Sequence, residues 1–569
     1  MKSYPILVSL IIALLAGTAA EAKYSGGTGT PNDPYRIATP KNLRDIGKNH
    51  KDWEKNFILI KNINISQYNG TRFRMIGRYT GLSKPDDKPF TGVFDGNGHK
   101  ILNFTWNSTA RNYIGLFGYV GEGGQIKNLG IENANVTSVG GNYVGILVGF
   151  NEGTITNCYS IGSISKTRRT VGGLVGFNSG AITNCYSSTD ISGEYYTGGL
   201  VGENWQGTIS NCHSTGTVKG AENVGGLAGY SSGTITNCYS RGIISGTDSV
   251  GGLVGIGSTI LNSYSLSTVA GNTDVGGLIG RTLGDTIDSC YSLCTVSGQH
   301  YIGGLVGYNG SGFITKCHSS SIISGDAYVG GLVGDNCKGI ITNCYSTNSI
   351  SGNSSVGGLV GKNGGTLRDC YSKGNVCGID SIGGLVGCNS SSNRCGPGWC
   401  IIELHYGLIY NSYSTGSVLG TSRVGGLIGG GRLLGESQDI VGTIVNSVWD
   451  IQSSDCNTSH GGIGKTTEEM KTKSTFTDAS WDFVNIWDIC EGTNYPRLRW
   501  QIPLAISIGD FVCSYGVDFM DFTVMASAWQ SEPNDPDWNP ACDISQPKDN
   551  FIDELDLAVF CENWLEGPP

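Results

Sequence analysis

Aromatic side chains recur at one position of a repeated sequence and are the residues best suited to contact a ligand. A row of aromatic rings can stack on the sugar rings of a polysaccharide. The same rings can instead stack on one another and stabilise a sheet, as cross-strand aromatic pairs do. The residue types leave both roles open. The column consists of Tyr159, Tyr186, His213, Tyr239, Tyr264, Tyr291, His318, Tyr345, Tyr371 and Tyr413.

Eight cysteines occupy the repeat position directly before this aromatic column. The 19 cysteines of the chain would ordinarily predict a disulfide framework in an exported protein. A shared repeat position instead places these eight about 4.8 Å apart from coil to coil, and small free thiols are readily buried. We predict a buried thiol ladder and leave pairing open for the remaining cysteines. The eight are Cys158, Cys185, Cys212, Cys238, Cys290, Cys317, Cys344 and Cys370.

Alternation within each repeat separates the two columns. Cys185, Ser187 and Ile191 share one parity, whereas Tyr186 has the other. Successive side chains of a strand point to opposite faces. Because thiols on the outside of an exported protein would oxidise, we assign the cysteines to the interior and the tyrosines to the outer face.

Charged residues that could catalyse a reaction are sparse within the repeats. Polysaccharide lyases and hydrolases occur on parallel β-helices, and their chemistry needs paired carboxylates, or carboxylates with a basic residue, in one groove. The mixed-charge residues of the repeats are spread over several coils, which favours a non-catalytic protein and leaves an enzyme as the alternative. They are Asp285, Asp288, Lys316, Asp335, Arg368 and Asp369.

The element that positions these columns is the phrase Gly-Gly-Leu-Val-Gly at 172–176 and its variants. The phrase recurs twelve times, and from Leu147 to Leu385 its leucines are 25 to 27 residues apart. A fixed period of this size is typical of a solenoid, and the short runs rich in Val, Ile, Thr and Tyr predict strands. We predict an all-β parallel β-helix (a β-solenoid) of about twelve coils with caps. Each coil should contribute two or three strands, and right-handed coiling is favoured.

The repeated phrase resembles the GLUG motif. The resemblance rests on the glycine-rich phrase at 172–176 with its copies and on Asn-Cys-Tyr-Ser at 184–187, and it covers residues 111–449. GLUG motifs occur in secreted bacterial proteins and in some bacterial immunoglobulin A peptidases. The resemblance implies a β-solenoid and no particular activity, since the zinc-binding His-Glu-x-x-His of those peptidases is absent from this sequence.

Charge and the N-terminal residues predict an exported protein that does not bind nucleic acid. The net charge of -10 disfavours binding to a nucleic acid, because its phosphate backbone needs a basic protein surface. Lys2, an apolar run from Ile6 to Leu15 and the small residues Ala20 and Ala22 predict a signal peptide over residues 1–22. Because the apolar run is short for a membrane span, we expect a secreted or cell-surface protein with no span after cleavage.

Two segments flank the repeats and are predicted to cap the solenoid. Residues 23–110 should form an N-terminal cap that includes a short helix from Thr39-Pro40 through Ile46. Residues 450–502, which are dense in aromatic side chains, should form a C-terminal cap. Caps are expected because an open end would expose apolar side chains and unpaired backbone groups.

The longest interruption of the repeat lies between Leu385 and Leu427. It contains Cys395, Trp399 and Cys400, and insertions in solenoids emerge as loops on one face, often the binding face. A loop held by its two cysteines and a metal or catalytic site both remain open. With Trp399, the candidate ligand-binding residues are Tyr159, Tyr186, Tyr239, Tyr264, Tyr291, Tyr345, Tyr371 and Trp399.

Residues 503–569 contain an internal duplication. The segment from Asp518 to Trp529 matches the segment from Asp553 to Trp564 with a constant offset of 35 residues. This duplicated loop-helix unit resembles a type I dockerin, a small α-helical module that docks onto cohesin domains in cellulosome-like assemblies. In dockerins two calcium loops each precede a helix, so the resemblance implies calcium as a cofactor and a cohesin-like domain as a partner.

The resemblance also implies which oxygen ligands would converge on calcium. The pattern is imperfect: Val512 and Tyr515 replace an expected ligand and glycine in the first loop, and the second loop is two residues longer than usual. A helical hairpin without calcium is therefore the alternative. The implied ligands are Asp543, Ser545, Asp549, Asp553 and Asp556 in the second loop and Asp510, Asp518 and Asp521 in the first.

These features predict a secreted or cell-surface, non-catalytic repeat scaffold for adhesion or polysaccharide binding, tethered to a larger assembly by a dockerin-like tail. The expected partners are a cohesin-like domain and a polysaccharide or cell-surface glycan. The alternative is a polysaccharide-degrading enzyme, a lyase or glycoside hydrolase, built on a β-helix in a cellulosome-like assembly.

Overall fold

The computed structural model describes residues 23–79, 87–109, 111–282, 284–390, 395–396, 399–400, 407–430, 442–501, 517, 519–533, 535–539, 542–545 and 549–562. The predicted signal peptide over residues 1–22 lies outside the described residues, as do Asp510 and Asp518. Among the helices of the described ranges, none combines the length and the apolar character that a membrane crossing requires.

The predicted parallel β-solenoid is confirmed, with about eleven turns over residues 100–388. Each coil passes through four long parallel sheets, which we number in the order in which the chain meets them. The first sheet contains Tyr35–Ile37, Asn56–Leu59, Val93–Asp95, Gln125–Lys127, Thr154–Thr156, Ala181–Thr183, Thr208–Ser210, Thr234–Thr236, Ile260–Leu261, Thr286–Asp288, Phe313–Thr315, Ile340–Thr342, Thr366–Arg368, Leu408–Tyr410 and Ile444–Val445.

The second sheet carries the aromatic column, and most coils contribute two short strands to it. Its strands are Ile63–Asn64, Lys100–Leu102, Thr105–Thr109, Gly130–Val139, Tyr159–Ser165, Tyr186–Ser192, His213–Ser214, Val218–Lys219, Tyr239–Ser240, Ile243–Ser245, Tyr264–Ser265, Thr268–Ala270, Tyr291–Ser292, Thr295–Ser297, His318–Ser319, Ile322–Ser324, Tyr345–Ser346, Ser349–Ser351, Tyr371–Ser372, Asn375–Cys377, Tyr413–Ser414, Val418–Leu419, Val448–Asp450 and Ile463–Lys465.

The third and fourth sheets flank the glycine-rich phrase. The third contains Asn142–Val144, Arg169–Gly172, Tyr195–Gly198, Glu222–Gly225, Asp248–Gly251, Thr273–Gly276, His300–Gly303, Ala327–Gly330, Ser354–Gly357, Asp380–Gly383 and Ser422–Gly425. The fourth contains Phe117–Val120, Val148–Asn151, Val175–Asn178, Val201–Asn204, Ala228–Ser231, Val254–Gly257, Ile279–Thr282, Val306–Asn309, Val333–Asn336, Val360–Asn363, Val386–Cys388 and Ile428–Gly430.

Helices and isolated strand pairs lie outside these sheets. The α-helices are Pro40–Lys48, Thr467–Met470, Ser474–Thr477, Phe519–Ser527 and Glu554–Glu562, and the 3₁₀ helices are His50–Asp52, Ser66–Tyr68, Gly70–Arg72 and Arg499–Gln501. Two antiparallel pairs join Cys395–Gly396 to Trp399–Cys400 and Trp487–Asp488 to Arg497–Leu498.

Two kinds of corner divide each coil. Asn157, Asn184 and Asn237 have φ of 54° between the first and second sheets, in the left-handed region that asparagine tolerates better than most residues. Between the third and fourth sheets, a Cβ at Gly172 would collide with the carbonyl oxygen of Val175. Because the chain bends at these corners, each coil contains four or five short strands. The expectation of two or three strands per coil was therefore wrong.

The predicted thiol ladder is confirmed, and all eight of its cysteines are buried and free. The thiol of Cys158 donates to the carbonyl oxygen of Thr156 at 3.3 Å, and the backbone N–H of Cys158 donates to Cys185 Sγ at 3.3 Å. The leucines of the glycine-rich phrase fill the core beside this ladder. Leu174 and Leu200 are fully buried, and each such side chain stabilises the fold by roughly 1.5–3 kcal/mol.

Buried asparagines form a second ladder along the fourth sheet. Asn178 Nδ2 donates to Asn204 Oδ1 at 2.7 Å, and Asn336 Nδ2 donates to Asn363 Oδ1 at 2.9 Å. Amides of this ladder also donate to a carbonyl oxygen of their own turn, as Asn336 Nδ2 does to Gly339 at 3.1 Å. The ladder satisfies polar groups that would otherwise be buried without partners.

The predicted N-terminal helix is confirmed as Pro40–Lys48. Thr39 caps it by accepting a hydrogen bond from the backbone N–H of Asn42, and Pro40 stands at its first position. Leu43 and Ile46 are fully buried in the core that continues into the solenoid. The helix therefore covers apolar side chains of the first coils.

The aromatic C-terminal segment packs against the side of the last coils. Trp481, Trp487 and Leu498 form one buried cluster with Tyr371 and Tyr413 of the aromatic column. Trp481 Nε1 donates to the carbonyl oxygen of Asn446 at 2.9 Å. The segment thus lies on the outer face of the second sheet, where the sequence pattern alone did not place it.

The tail contains two helices of equal length, Phe519–Ser527 and Glu554–Glu562, whose first residues are 35 positions apart (554 − 519) as in the duplicated sequence. Val517, Met525 and Phe560 are buried against one another. The duplication therefore builds a pair of helices around a small core of its own.

Candidate functional site

The predicted aromatic column forms an unbroken stack on the outer face of the second sheet. From Tyr159 to Tyr413 the centroids of consecutive rings are 4.6 to 5.1 Å apart, and consecutive ring planes lie within 11° of parallel. Strand register sets this geometry, because Tyr186 lies directly opposite Tyr159 on one side and His213 on the other. Self-stacking, one of the two roles left open by the sequence, is present.

Stacking occupies both faces of the rings. At one end Tyr159 lies over Gly130, where a Cβ would collide with the tyrosine ring. At the other end Tyr413 lies against Trp487, with ring centroids 6.0 Å apart, and Tyr495, with centroids 6.4 Å apart. A sugar ring cannot insert between rings held this closely, so a ligand would contact the ring edges and the phenol hydroxyls.

Most phenol hydroxyls of the open part of the column are available for hydrogen bonds, and that of Tyr159 is the exception. Tyr159 Oη donates to Glu132 Oε1 at 2.8 Å. Partial burial raises the pKa of Tyr264 and of Tyr291, so these phenols stay neutral donors at physiological pH. The hydroxyls that have no hydrogen-bond partner within the described residues are those of Tyr186, Tyr239, Tyr264 and Tyr291.

The C-terminal segment covers the far end of the column. Tyr371 is buried, and its hydroxyl exchanges hydrogen bonds with the Gln501 amide at 2.9 and 3.1 Å. The Tyr345 ring lies 5.9 Å from the Trp500 ring. Of the candidate ligand-binding tyrosines, Tyr345 and Tyr371 therefore lie beneath this segment, while those from 159 to 291 remain at the surface.

Within the insertion that contains Trp399, the structure describes two short antiparallel strands. Cys395 lies opposite Cys400 in their register. The side chains of these strands lie outside the described residues. Trp399 therefore stays a prediction.

A second aromatic stripe, which sequence reasoning missed, lies where the third and fourth sheets meet. Phe150 stacks between Tyr79 and Phe177, with centroids 4.7 and 4.8 Å away, and Tyr113 stacks on Tyr143 at 4.8 Å. We call these five residues the lateral stripe. The signal was in the sequence, because Phe150 and Phe177 directly follow Val-Gly of the glycine-rich phrase, which we had interpreted only as architecture.

Glu203 continues the lateral stripe with a carboxyl group. Burial raises its pKa, and Thr170 Oγ1 donates to it at 3.3 Å. Arg169 lies over the Tyr196 ring, with the guanidinium carbon 4.7 Å from the centroid. A single carboxyl group can donate a hydrogen bond when protonated, but glycoside hydrolysis needs a second carboxylate across the scissile bond.

The mixed-charge residues of the repeats do not converge on one groove. Asp288 lies in the first sheet and Asp335 in the fourth. Asp369 is buried and accepts hydrogen bonds from Asn411 Nδ2 at 3.3 Å and Trp487 Nε1 at 3.4 Å, so its carboxylate holds the C-terminal segment in place. Within the described residues, this set therefore forms no shared catalytic groove.

Three predicted calcium ligands of the tail come together. Ligand oxygens of Asp543, Asp549 and Asp556 all lie within 4.8 Å of one another. Asp556 Oδ1 accepts hydrogen bonds from the backbone N–H groups of Ile544 and Ser545, both at 2.7 Å. The loop is therefore folded around the carboxylate of its last acidic residue.

The other predicted calcium ligands have different surroundings. Asp543 Oδ1 and Ser545 Oγ are buried and have no hydrogen-bond partner among the described residues, although Asp543 Oδ2 accepts from the Asn550 N–H at 3.3 Å. Asp553 Oδ1 accepts from the backbone N–H of Leu555 at 2.8 Å, at the start of the second helix. Asp521 is buried in the first helix. The second loop thus supplies the oxygen cluster that suits a hard cation.

Comparison with known proteins identifies the repeat and fragments of two relatives. The GLUG motif matches residues 167–192, 193–219, 220–245 and 352–376, which confirms the predicted GLUG repeats. The chain is 35% identical to halomucin of Haloquadratum walsbyi over 153 residues, which cover 27% of this chain and 2% of halomucin. It is 32% identical over 163 residues to a protein named as a Gly-rich membrane protein in Evansella cellulosilytica, covering 28% of this chain and 18% of that protein.

A solved structure also aligns with most of the chain. The crystal structure of a protein named as an immunoglobulin A1 protease from Bacteroides ovatus aligns with 84% of this chain and 95% of its own, at 19% identity and a TM-score of 0.26. A TM-score of this size supports no argument about fold or function. The chain therefore contains GLUG motif repeats and spans only a small part of the two relatives that share its sequence.

Proposed function

We propose that this chain is a non-catalytic repeat scaffold, secreted or at the cell surface, that binds polysaccharide along its solenoid and is tethered through its tail. The observation that carries the proposal is the row of phenol hydroxyls on the open part of the aromatic column that have no hydrogen-bond partner among the described residues. These hydroxyls belong to half-buried rings that stacking holds in a straight line.

The geometry of this row suits a linear polymer of neutral sugars. Rings of Tyr239, Tyr264 and Tyr291 repeat at 5.1 and 4.8 Å, so each hydroxyl, which can both donate and accept, is offered at a regular interval. Hydroxyls of the first sheet flank the column, as Thr183 and Ser210 do in contact at 3.1 Å. Many weak hydrogen bonds along one line favour an extended ligand over a small one.

Sequence and relatives support an extracytoplasmic location. A signal peptide is predicted over residues 1–22, and the relatives that share the repeats are named halomucin and a Gly-rich membrane protein. A protein exposed there meets polysaccharides of its own surface or of its surroundings.

The test removes hydroxyls and keeps the stack. The triple change Tyr239→Phe, Tyr264→Phe and Tyr291→Phe should weaken retention in affinity electrophoresis on neutral polysaccharides by about tenfold or more, since each lost hydrogen bond costs about 0.5–1.5 kcal/mol. The free energy of unfolding should stay within about 0.5 kcal/mol of the unmodified protein because ring stacking is preserved. Cellulose, xylan and dextran serve as the panel.

A matched control is Tyr195→Phe, which removes one exposed phenol hydroxyl from the third sheet. It should leave retention unchanged. Equal retention of the triple variant and the unmodified protein on every polysaccharide would show that the column does not bind them. Release of reducing ends from the same polysaccharides would instead support the alternative of a degrading enzyme.

The proposal extends to the tail, as a calcium-binding module that docks onto a cohesin-like domain. Its support is the oxygen cluster of Asp543, Asp549 and Asp556 together with the buried Ser545 hydroxyl, which has no hydrogen-bond partner in the part of the chain that the structure describes. The paired helices of equal length agree with a duplicated loop-helix unit. A calcium titration of the whole chain tests this part independently of sugar binding.

A further inference from the structure

A cleft at the N-terminal end of the solenoid is lined by positive charges, whereas the chain as a whole is negatively charged. It has a volume of about 720 Å³. Among the described residues that line it, every charged one is a cation. Such a concentration is unexpected by chance in a chain of net charge -10. The lining cations are Lys48, Arg74, Arg78, Lys88 and Arg111.

Backbone pairing holds two of these cations side by side. The N–H groups and carbonyl oxygens of Arg78 and Lys88 exchange hydrogen bonds of 2.7 and 2.8 Å in an antiparallel bridge. The segment is tied to the solenoid through Ile76, whose N–H donates to the Leu116 carbonyl oxygen at 3.1 Å. Gly77 follows with φ of 77° and passes so close to the Tyr119 carbonyl that a Cβ would collide with it. The cations therefore lie on a fixed wall.

Four of the five cations are not neutralised by ion pairs. Lys48 pairs with Asp45 at 3.0 Å, whereas within the described part of the chain no carboxylate lies in ion-pair distance of the other four. Burial lowers the pKa of Arg111, and the nearby charges of Arg74 and Arg78 lower it further, so the three guanidinium groups repel one another. A bound anion would relieve this repulsion.

The carboxylates near the cleft do not balance its charge. Asp45 pairs with Lys48, and Glu152 accepts a hydrogen bond from the Tyr119 hydroxyl. Asp87 contributes to the raised pKa of Tyr113, behind burial as the main cause, and to that of Tyr119, behind burial and Glu152. Five cations line the cleft, so it keeps a net positive charge.

The cleft opens onto the lateral stripe, so that a bound chain could extend from the cleft along the stripe. Tyr79 and Tyr113 line the cleft and also begin the two stacks of the stripe. The stripe runs from coil to coil towards Arg169, whose guanidinium covers the Tyr196 ring. A compact anion would fill the cleft alone, whereas a linear acidic polymer would contact both the cations and the aromatic edges along the stripe.

We propose that this cleft and the adjoining lateral stripe bind an acidic polysaccharide. Its carboxylate or sulfate groups pair with Arg74, Arg78, Lys88 and Arg111, and its sugar chain follows the stripe. Arginine suits this role because its planar fork of donors matches both carboxylate and sulfate oxygens. The site lies on a different face from the tyrosine column and does not depend on neutral-sugar binding by that column.

Binding of defined polymers to the full chain tests the proposal. Polygalacturonate supplies carboxylates, dextran sulfate supplies sulfates, and dextran is the neutral probe, each measured by isothermal titration calorimetry at two salt concentrations. At least one acidic polymer should bind, more weakly at the higher salt because screening reduces charge attraction, and dextran should not compete. The two acidic polymers distinguish a carboxylate ligand from a sulfate ligand.

The decisive variant is Arg74→Gln, Arg78→Gln and Arg111→Gln, which should weaken acidic-polymer binding by about tenfold or more. The control Lys61→Gln, Lys219→Gln and Arg241→Gln removes the same charge from exposed positions elsewhere and should change binding by less than about twofold. If the arginine variant loses structure, Arg78→Gln with Lys88→Gln alters only exposed side chains and should still weaken binding severalfold.

Three outcomes would overturn the proposal. Equal loss in the cleft and control variants would mean that binding reflects overall charge alone. No binding of either acidic polymer would exclude the ligand class. Duplex DNA bound as tightly as the acidic polymers, and lost in the same arginine variant, would show that the cleft selects phosphate charge and not acidic sugars. The Tyr239, Tyr264 and Tyr291 phenylalanine variant should leave this binding unchanged, which separates it from the proposed function.

Discussion

Within the solenoid, the chemistry of a side chain is set by the column in which it lies. Cys317 belongs to the inner ladder, and burial raises the pKa of its thiol well above the usual range. His318 belongs to the outer column, and burial lowers its pKa to about 4. Both groups are uncharged at neutral pH, so this Cys-His neighbour pair, which could suggest a nucleophile and its base, has a structural role.

The raised thiol pKa values predict how stability depends on pH. The ladder thiols of Cys290, Cys317 and Cys344 stay protonated in the folded protein, but ionise in the unfolded chain above about pH 8.5. The unfolded state then binds fewer protons, so the free energy of unfolding falls as pH rises above that value. At pH 10 the loss should be about 2 kcal/mol per thiol, measured by urea unfolding at pH 7.5 and 10.

Serine replacements test the cause of this pH dependence. Ser263 already occupies the ladder position in one coil and donates to the Leu261 carbonyl oxygen at 2.7 Å, so serine fits there without ionising. The triple change of these cysteines to serine should make the fall in stability above pH 8.5 smaller by the share of three thiols, while the remaining ladder thiols keep part of it. The change of the exposed Cys377 to serine should leave the slope as it was, and equal slopes for all three proteins would contradict the explanation.

At the scale of the strand and its corner, polar ladders join coils that side-chain packing alone would leave free to slide. Asn336 Nδ2 donates to Asn363 Oδ1, and Asn336 Oδ1 accepts from Asn309 Nδ2, both at 2.9 Å. A slip of one residue would bury these amides without partners, which costs about 1–3 kcal/mol for each group. The ladder therefore specifies the register of the fourth sheet.

Replacement of one rung should be costly. Asn336→Ala should lower the free energy of unfolding by about 2–4 kcal/mol. It removes a buried amide, so that Asn309 Nδ2 and Asn363 Oδ1 each lose a hydrogen bond. Asn336→Ser should cost less, since Ser231 serves as a rung and donates to Gly233 at 3.1 Å. Urea unfolding at pH 7 measures both.

The exposed Asn353 provides the comparison for this rung. Its side chain donates to Asp326 Oδ1 at 2.7 Å on the surface, so Asn353→Ala should change the free energy of unfolding by less than about 1 kcal/mol. A similar cost for the alanine changes at positions 336 and 353 would mean that the buried ladder contributes no special stability.

The comparison of pattern and structure shows which elements could be predicted from the sequence. Repeat period and parity were sufficient for the solenoid, the inward thiols and the outward tyrosines, because they depend on the neighbouring coil alone. Parity does not say where a coil bends, so the corners at positions such as Asn157 were missed. Contacts between distant segments, such as Trp500 over Tyr345, leave no periodic signal, which is why the covered part of the column was not foreseen.

The lateral stripe was missed for a different reason. Phe150 and Phe177 occupy a repeat position that holds Glu203, Tyr230, Ile256 and Arg281 in the following coils. Because the residue type at this position changes from coil to coil, a search for a repeated residue does not detect it. Its aromatic members nevertheless lie beside the basic cleft. Variation at a fixed repeat position was thus the more informative signal for the proposed ligand site than the invariant phrase.

At the scale of the whole molecule, the proposed binding and the proposed tethering belong to different parts of the chain. The basic cleft is built by residues that precede or open the repeats, the open tyrosine column by coils of the solenoid, and the oxygen cluster by the second loop of the tail. Stability of a solenoid arises between neighbouring coils. Changes in the tail should therefore leave the thermal transition of the repeats unaffected.

This separation predicts a calcium effect confined to the tail. The three carboxylates at Asp543, Asp549 and Asp556 repel one another when ionised, and a hard cation between them would remove that cost. Calorimetric titration of the full chain with CaCl₂ should show binding, and Asp543→Asn with Asp549→Asn should weaken it by about tenfold or more. The melting temperature of the solenoid should be the same with and without calcium.

The control for this titration is Asp537→Asn, an exposed carboxylate between the two helices, which should leave calcium affinity unchanged. Cohesin docking should then require calcium, because an ion that connects Asp543 with Asp556 fixes the loop directly before the second helix. If the double variant still gives a heat of calcium binding in the calorimetric titration, the ion binds elsewhere in the chain. Cohesin binding that persists in the presence of a chelator would show that the helix pair docks without the metal, as the calcium-free hairpin predicts.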